Sequence, residues 1–532
     1  MSRILPIACS AEKRSLFESI EMDFNAVGYR DLDGTDLALR CHYYDDPYVL
    51  GSVAGRDFRY FVPASALSEL SLRDLLAQRY QEAAPPEVVY SSFATSPVVL
   101  VMPSRVYELL GGKATGQSPG RSPWSRLSRQ RRDEGWAIGQ QPRGVGWHSL
   151  LTQGGELRLA HAHGTTADGL AVMAAEWVWA CGGREPSADD AAGRARDLVK
   201  ALEERVVEYA PDDRTALLRA QSAQADVVLV REDAALAAAA ESGAESVIVY
   251  PAEGTLWIDQ VLGRVHHEEI RRPIDRPYEL LSAHLRSAQT ADRVLTHGMH
   301  PAGSALGTRN DSARLIAAHP AAQQGSVRIV NSGAAPMVLP GYQSVKIISG
   351  SWGSVAKAAD VCLVLDTSES MVGSKLAAAC EAIRRFCARP QSTATAVGLV
   401  TFDRTAVVTV PVQPLAQATQ NIELAIRSVR AGGNTALFDA VAVAVAELHR
   451  AAGMGHMRVV LLLTDGAENS SRKTFSEARI ELDAADVTVF AIAYGADADE
   501  ATLRRLAGDS GLVVTASPRD VEEIYAALSA HV

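Results

Sequence analysis

Val361-Cys362-Leu363-Val364-Leu365-Asp366-Thr367-Ser368-Glu369-Ser370 decides the fold of the C-terminal third. The apolar run reads as a buried strand. The next residues form a turn, and 371–387 has helical spacing. Strand, polar turn, helix is the repeating unit of an α/β sheet. The unit recurs outward from here. Further apolar runs lie at 396–402, 459–463, 487–494 and 512–514. Helix-like stretches lie at 375–387, 419–429, 438–451, 474–485, 500–507 and 521–528. This alternation predicts a doubly wound, mostly parallel sheet. Residues 404–411 add one short strand after a tight turn, expected as an antiparallel edge. Ligands of such sheets bind at the carboxyl ends of the strands.

The chain has 532 residues, enough for two or three domains. Its apolar content of 47% and charged content of 22% are ordinary for a globular protein. The net charge of −11 is a poor match for nucleic acid or anionic lipid, and no nucleic-acid partner is expected. Cys9, Cys41, Cys181, Cys362, Cys380 and Cys387 show no CxxC pairing and read as buried free thiols. Residues 4–8 are too short an apolar run for a secretory leader, and no run reaches transmembrane length. The chain as written is therefore expected to be cytoplasmic, or extracellular or membrane-associated if its true N-terminus is missing.

The first 350 residues mix strands and helices less regularly. Strands are expected at 5–9, 98–102, 227–230 and 246–250, and helices at 10–24, 170–181, 191–209 and 277–287. Residues 111–146 are rich in Gly, Ser, Pro and Arg and read as a long surface loop; Arg121, Arg126, Arg129, Arg131, Arg132 and Arg143 make it basic. Residues 321–350 are Gly/Ser-rich and read as the connection between the two halves.

Three turns at strand ends carry chemistry. The first offers Asp366, Ser368 and Ser370; the second is Gly432-Gly433-Asn434-Thr435; the third is Thr464-Asp465-Gly466. Hydroxyl and carboxylate oxygens are hard donors suited to Mg²⁺ or Mn²⁺. Several neutral ligands would leave the metal electrophilic, with a position open to an acidic group. Ser and Asp after strands also cap helices. Capping explains each turn separately but not the three together. Other groupings are weaker. His266-His267-Glu268-Glu269 lacks HExxH spacing and reads as a solvated face. His161 and His163 alternate as on a strand, and two ligands make no site. No phosphate-binding loop, nucleophile elbow or triad is present, so no enzyme and no catalytic residue is expected.

The C-terminal third resembles the von Willebrand factor type A (vWA) domain. Its loops match that family's metal-ion-dependent adhesion site, DxSxS…T…D, through Asp366-Thr367-Ser368-Glu369-Ser370, Thr435 in GGNTALFDA and Asp465 in LLLTDG. Glu369 stands where the family usually has Gly. The resemblance implies that Ser368 and Ser370 bind the metal directly and that Asp366 and Asp465 act largely through water. Thr435 is direct or water-bridged. Glu369, Met371, Asn434, Ala467 and Glu468 would ring the open position.

The earlier series ACSAEKRSLFESI, FVPASALS, ATSPVVLVMP, GVGWHSLL, HGTTADGL, VIVYPAEGTLWID and HGMHP resembles bacterial solute-binding proteins of the two-lobed periplasmic-binding type. More closely, it resembles the subgroup that ends in a vWA domain. That implies a module at 1–345, with lobe I at 1–93 and 252–345 and lobe II at 94–251. A linker at 346–357 and the vWA domain at 358–532 would follow. By analogy Ser10, Ser65, Thr95, Thr166 and Asp168 would edge the cleft. The expected function is non-enzymatic: metal-dependent docking of a protein partner that presents a carboxylate, coupled to a solute-binding-like module that could take a small solute. The alternatives are a solute receptor of a transport system, or a cytoplasmic assembly factor engaging an AAA+ ATPase.

Overall fold

The computed structural model describes residues 2–44, 46–80, 85–112, 144–152, 157–220, 224–243, 245–266, 275–303, 309–331, 333, 335–388, 395–451, 456–485, 487–495, 498–508 and 512–516. The helix expected at 521–528, most of the basic loop, and His267, Glu268 and Glu269 lie outside them.

Seventeen strands form three sheets among the described residues. In chain order they are β1 Arg3–Ser10, β2 Leu37–Tyr44, β3 Tyr60–Val62, β4 Glu87–Met102, β5 Leu159–Ala162 and β6 Val206–Ala210. Then come β7 Val227–Arg231, β8 Ser246–Tyr250, β9 Trp257–His266, β10 His300–Pro301 and β11 Val327–Asn331. The last six are β12 Ala359–Asp366, β13 Ala396–Phe402, β14 Ala406–Pro414, β15 Met457–Thr464, β16 Thr488–Tyr494 and β17 Leu512–Ala516.

The last six form one sheet in the order β14-β13-β12-β15-β16-β17, parallel except for the edge strand β14. Both faces of β12 are buried. Val361, Leu363 and Leu365 pack on one side with Ala379, Ile383 and Phe386. Cys362 and Val364 pack on the other with Val441, Ala444 and Leu448. Period-two alternation between two apolar layers is why this strand reads as an unbroken apolar run.

The first two sheets share β4. Its N-terminal part pairs with β9 in a sheet ordered β2-β1-β3-β9-β4. Beyond Pro97 it passes between β7 and β8, in a sheet ordered β11-β8-β4-β7-β5-β6. The chain returns from β8 to β9 through 251–256. The chain thus passes between the two sheets twice, along β4 and at 251–256, and the module is two-lobed α/β.

Three expectations are corrected here. The stretch 191–209 is not one helix: it is the helix Arg194–Glu203 followed by β6, whose Val206 and Tyr209 are buried beside β5. Residues 252–345 do not all belong to the first lobe, because β11 pairs in parallel with β8 in the second sheet. The supposed linker is mostly the helix Tyr342–Val355. Val345, Ile348, Trp352 and Val355 recur at helical spacing and are buried in the core of the second lobe. The Trp352 ring centroid lies 4.6 Å from that of His163 and 5.1 Å from that of Tyr209. The backbone N–H of Lys357 then donates to the Tyr209 hydroxyl at 2.9 Å, and its ammonium to Val206 O at 2.7 Å. The second lobe is thus tied to the start of β12. The six cysteines form no disulfide; four are buried and two half-buried.

Candidate functional site

The three polar turns meet at the carboxyl ends of β12 and β15. Thr367 fixes the first, its N–H and hydroxyl both donating to Phe402 O, at 2.8 and 2.9 Å. Gly432 N–H donates to Thr367 O at 2.8 Å, and Glu369 N–H to Gly433 O at 3.2 Å, which docks the second turn on the first. Gly433 has φ +89°, a left-handed conformation that a side chain would strain. The third turn is held by Thr435 N–H donating to Asn469 Oδ1 at 2.9 Å and Asn469 N–H donating to Thr435 O at 3.1 Å.

Asp366, Ser368, Ser370, Thr435 and Asp465 therefore share one place. Ser368 Oγ lies 3.0 Å from Ser370 Oγ, and Ser370 Oγ donates to Asp465 Oδ1 at 2.6 Å. Ser368 N–H donates to Asp366 Oδ1 at 2.8 Å, and the Thr464 hydroxyl donates to the other oxygen. A methyl group on Gly466 would sit 3.0 Å from Thr435 Oγ1 and 3.7 Å from Ser370 Oγ. Asp366 and Asp465 are fully buried. Burial, and then the nearby Asp465, push the Asp366 carboxyl above its ordinary value, against the pull of the Thr464 and Ser368 hydrogen bonds.

One functional side chain escaped the sequence reading. The Lys375 ammonium, from the first turn of the helix Ser374–Cys387, pairs with Asp465 Oδ2. The site thus already holds a monovalent cation against the carboxylate. The rim also differs from expectation. Glu369, Asn434 and Ala467 are exposed, but Met371 is fully buried in the core beneath. Glu468 turns inward, its carboxylate accepting from the N–H groups of Ser470, Ser471 and Phe438 and from the Ser471 hydroxyl.

The residues expected at the cleft are only partly gathered. Arg231, at the end of β7, is the centre, with a side chain 4% exposed. It bonds Glu12 Oε2 at 3.0 Å, Asp168 Oδ1 at 2.9 Å, Asp213 Oδ2 at 3.3 Å and Ala64 O at 3.4 Å. Glu12 and Ala64 come from the first lobe, beside Ser10 and Ser65; Asp168 and Asp213 come from the second. Ser65 and Thr166 accept from backbone N–H groups of their own turns, as caps do. Thr95 Oγ1 is buried with no partner among the described residues. No local pattern announced Arg231; its only signal is a charge closing a buried apolar strand.

Burial alone would raise the Glu12 carboxyl, but Arg231 and Lys13 bring it down to about 2. Burial carries Asp168 up to about 6 despite Arg231. The two act oppositely on stability. Glu12, depressed in the fold, stabilises above its unfolded value of 4.5, and that contribution is lost as pH falls toward 2. Asp168, raised in the fold, lowers stability as pH rises through the window from 3.8 to about 6. Glu12→Gln should therefore remove the acid limb alone. Glu12 is partly open to water, which screens the pair, so between pH ~3 and ~5 the stability difference between wild type and variant should grow by about 1 kcal/mol in chemical denaturation. A constant difference would mean that Glu12 does not bind Arg231 in solution.

Comparison with known proteins agrees with this architecture. A family model for the von Willebrand factor type A domain matches residues 360–527, and one for bacterial extracellular solute-binding proteins matches 55–299. The chain thus joins a domain of the bacterial solute-binding type to a vWA domain. A search of curated proteins gave no match. Solved structures with some likeness include a von Willebrand factor type A protein from Catenulispora acidiphila, 22% identical over 33% of this chain and 43% of that one, with TM-score 0.30. Proximal thread matrix protein 1 from the mussel byssus is 22% identical over 38% of this chain and 53% of that one, with TM-score 0.29. BatB from Bacteroides thetaiotaomicron is 18% identical over 32% of this chain and 97% of that one, with TM-score 0.27. This chain spans less than two thirds of the first two, and scores this low carry no functional argument. Among the described residues no helix is long and apolar enough to cross a membrane.

Proposed function

We propose that the chain is a non-enzymatic docking protein whose vWA domain takes a carboxylate from a protein partner through a bound Mg²⁺ or Mn²⁺. The observation that carries this reading is Ser370 Oγ, 3.0 Å from Ser368 Oγ and 2.6 Å from Asp465 Oδ1, with Thr435 across the turn. The donor set is all hydroxyl and carboxylate oxygen, which fits a small hard cation. Ser368, Ser370 and Thr435 would hold it, with Asp366 and Asp465 behind. When bound, the cation supplies an open position that accepts an anionic oxygen. The chain's own part is to hold two buried carboxylates close, so that positive charge is favoured there, and to keep Ser368 and Ser370 aligned through Thr367 and Gly433. With Glu468 turned inward, Glu369 is the acidic residue left at the rim. It favours a lone carboxylate flanked by basic groups over a densely acidic surface.

The match at 55–299 favours a solute receptor as the second reading. Arg231 weighs against it, because its guanidinium is already paired with carboxylates from both lobes. The experiment compares partner capture by wild type and Ser368→Ala/Ser370→Ala, each in Mg²⁺ and in EDTA. Docking through the metal predicts capture by the wild type in Mg²⁺ alone. Equal capture in all four conditions would refute it.

A further inference from the structure

Away from both sites, the second lobe buries His161 on β5, Glu176 on the helix Ala167–Ala180 and Glu203 at the end of the helix Arg194–Glu203, all fully shielded from solvent. One ligand atom from each lies within 4.8 Å of the other two. We propose that these three side chains form a structural site for a divalent d-block cation of the Zn²⁺ type, independent of the vWA site.

Three observations carry it. First, both Glu176 oxygens and Glu203 Oε1 are buried and meet no N–H or hydroxyl donor among the described residues; at these oxygens the two carboxyls have only each other. A buried carboxylate without a partner is costly, and two side by side more so. Second, His161 Nδ1 lies 2.7 Å from Ala162 O. A carbonyl only accepts, so Nδ1 carries a proton, and Nε2 is the nitrogen left to ligate. That nitrogen faces Glu203 Oε2 at 3.3 Å, and the same oxygen already accepts from the Tyr209 hydroxyl at 2.7 Å. With a metal on Nε2, both facing atoms would be its ligands. The separation equals the ligand–ligand edge of about 3.3 Å in a tetrahedral zinc site with bonds near 2.05 Å. An imidazole oriented by a backbone carbonyl and a carboxylate held by a tyrosine are the supports that metal ligands receive from their neighbours. Third, the charges close. Two carboxylates, a neutral imidazole and a divalent cation sum to zero, whereas no lysine or arginine is hydrogen-bonded to the cluster among the described residues. One nitrogen and two carboxylates suit zinc better than the harder Mg²⁺. Tyr209, which holds Glu203, also accepts the Lys357 N–H, so the cation would stiffen the junction where the lobe meets β12.

The competing arrangement is protons in place of the metal, on His161 Nε2 or between the two carboxyls: burial and Glu203 push the Glu176 carboxyl well above its ordinary value. The two are separable on the full-length chain, with Ser368→Ala/Ser370→Ala as background to silence the vWA site. Protein produced in medium with Zn²⁺, and separately refolded with Co²⁺, is dialysed against EDTA and measured for metal. The expected result is about one d-block ion per chain. X-ray absorption should show oxygen and imidazole neighbours and no sulfur. Glu176→Gln should lose the ion at least about tenfold. Less than about 0.1 ion per chain in the background protein, by either route, would overturn the proposal in favour of protons in place of the metal. So would retention of the ion in a folded Glu176→Gln chain, or a neighbour shell without imidazole. The absorption measurement needs no variant of the cluster, so it decides even if Glu176→Gln fails to fold.

Discussion

Arg231→Met should destabilise the chain by about 3–5 kcal/mol at neutral pH, the cost of removing one partner from a buried charge cluster. Methionine matches much of the volume, so little of the loss comes from a cavity. What remains is Asp168 and Asp213, buried, with Glu12 reaching in from the other lobe and no guanidinium between them. Asp168 already sits near 6, and without Arg231 it moves higher, so the penalty should shrink as pH falls to about 5 and the carboxyl takes a proton. Chemical denaturation at both pH values checks the size and the sign. Hydrogen exchange adds a second readout: amides at 64–68, on the first-lobe side, should exchange faster if Arg231 links the lobes. A variant within about 1 kcal/mol of wild type at both pH values would show that the cluster does not hold the lobes together.

The C-terminal sheet was legible because its physics is local. A parallel strand covered on both faces must be apolar throughout, and Ala396–Phe402 runs into the polar bend at 403–405. The helix Glu500–Ala507 was found at its observed limits for the same reason: leucines at positions 503 and 506 and alanine at 507 mark one face. In the first module the signal is diluted. β2 is an edge strand with Arg40 and His42 half or fully exposed, and β9 carries Asp259, Gln260 and Arg264 within it. The helix Tyr342–Val355 holds two glycines and four serines, which hid a seam of Val345, Ile348, Trp352 and Val355. That seam, not propensity, makes the segment helical, because it docks on the second lobe.

The sites follow the same division. The DxSxS and TDG turns each follow a strand, so the sheet delivers them to one end; the GGNT turn follows the helix Leu415–Ser428 and is docked on the first turn by Gly432 and Gly433. Lys375 was visible as a residue but not as a partner, since only the fold brings it to Asp465. Arg231 draws on residues from positions 12 to 213, and His161 gains its carboxylates from two helices. Two alternating histidines made no site in sequence; for His161, two helices supply the carboxylates it lacked. Charge clusters assembled across long separations leave no period to read.

Asp465→Ala should abolish the Mg²⁺-dependent part of the thermal stability, which at a hundredfold excess over Kd amounts to about 2.7 kcal/mol. The metal-free melt should barely move. Asp465 is then paired with Lys375, whose side chain is 26% exposed and reaches water when the carboxylate goes. Asp366 is a poorer probe. It accepts from Ser368 N–H and the Thr464 hydroxyl, so its loss orphans buried donors and costs about 1–3 kcal/mol with or without metal. Lys375→Met supplies the complementary test. Without metal it leaves Asp465 buried and uncompensated, whereas bound Mg²⁺ restores the missing charge. The metal-dependent shift should therefore grow beyond that of wild type, mostly because the metal-free melt falls. Melts of the three proteins in millimolar Mg²⁺ and in EDTA decide the matter. If Asp465→Ala keeps its shift, the cation lies elsewhere. If Lys375→Met shifts no more than wild type, the ammonium and the metal do not serve the same carboxylate.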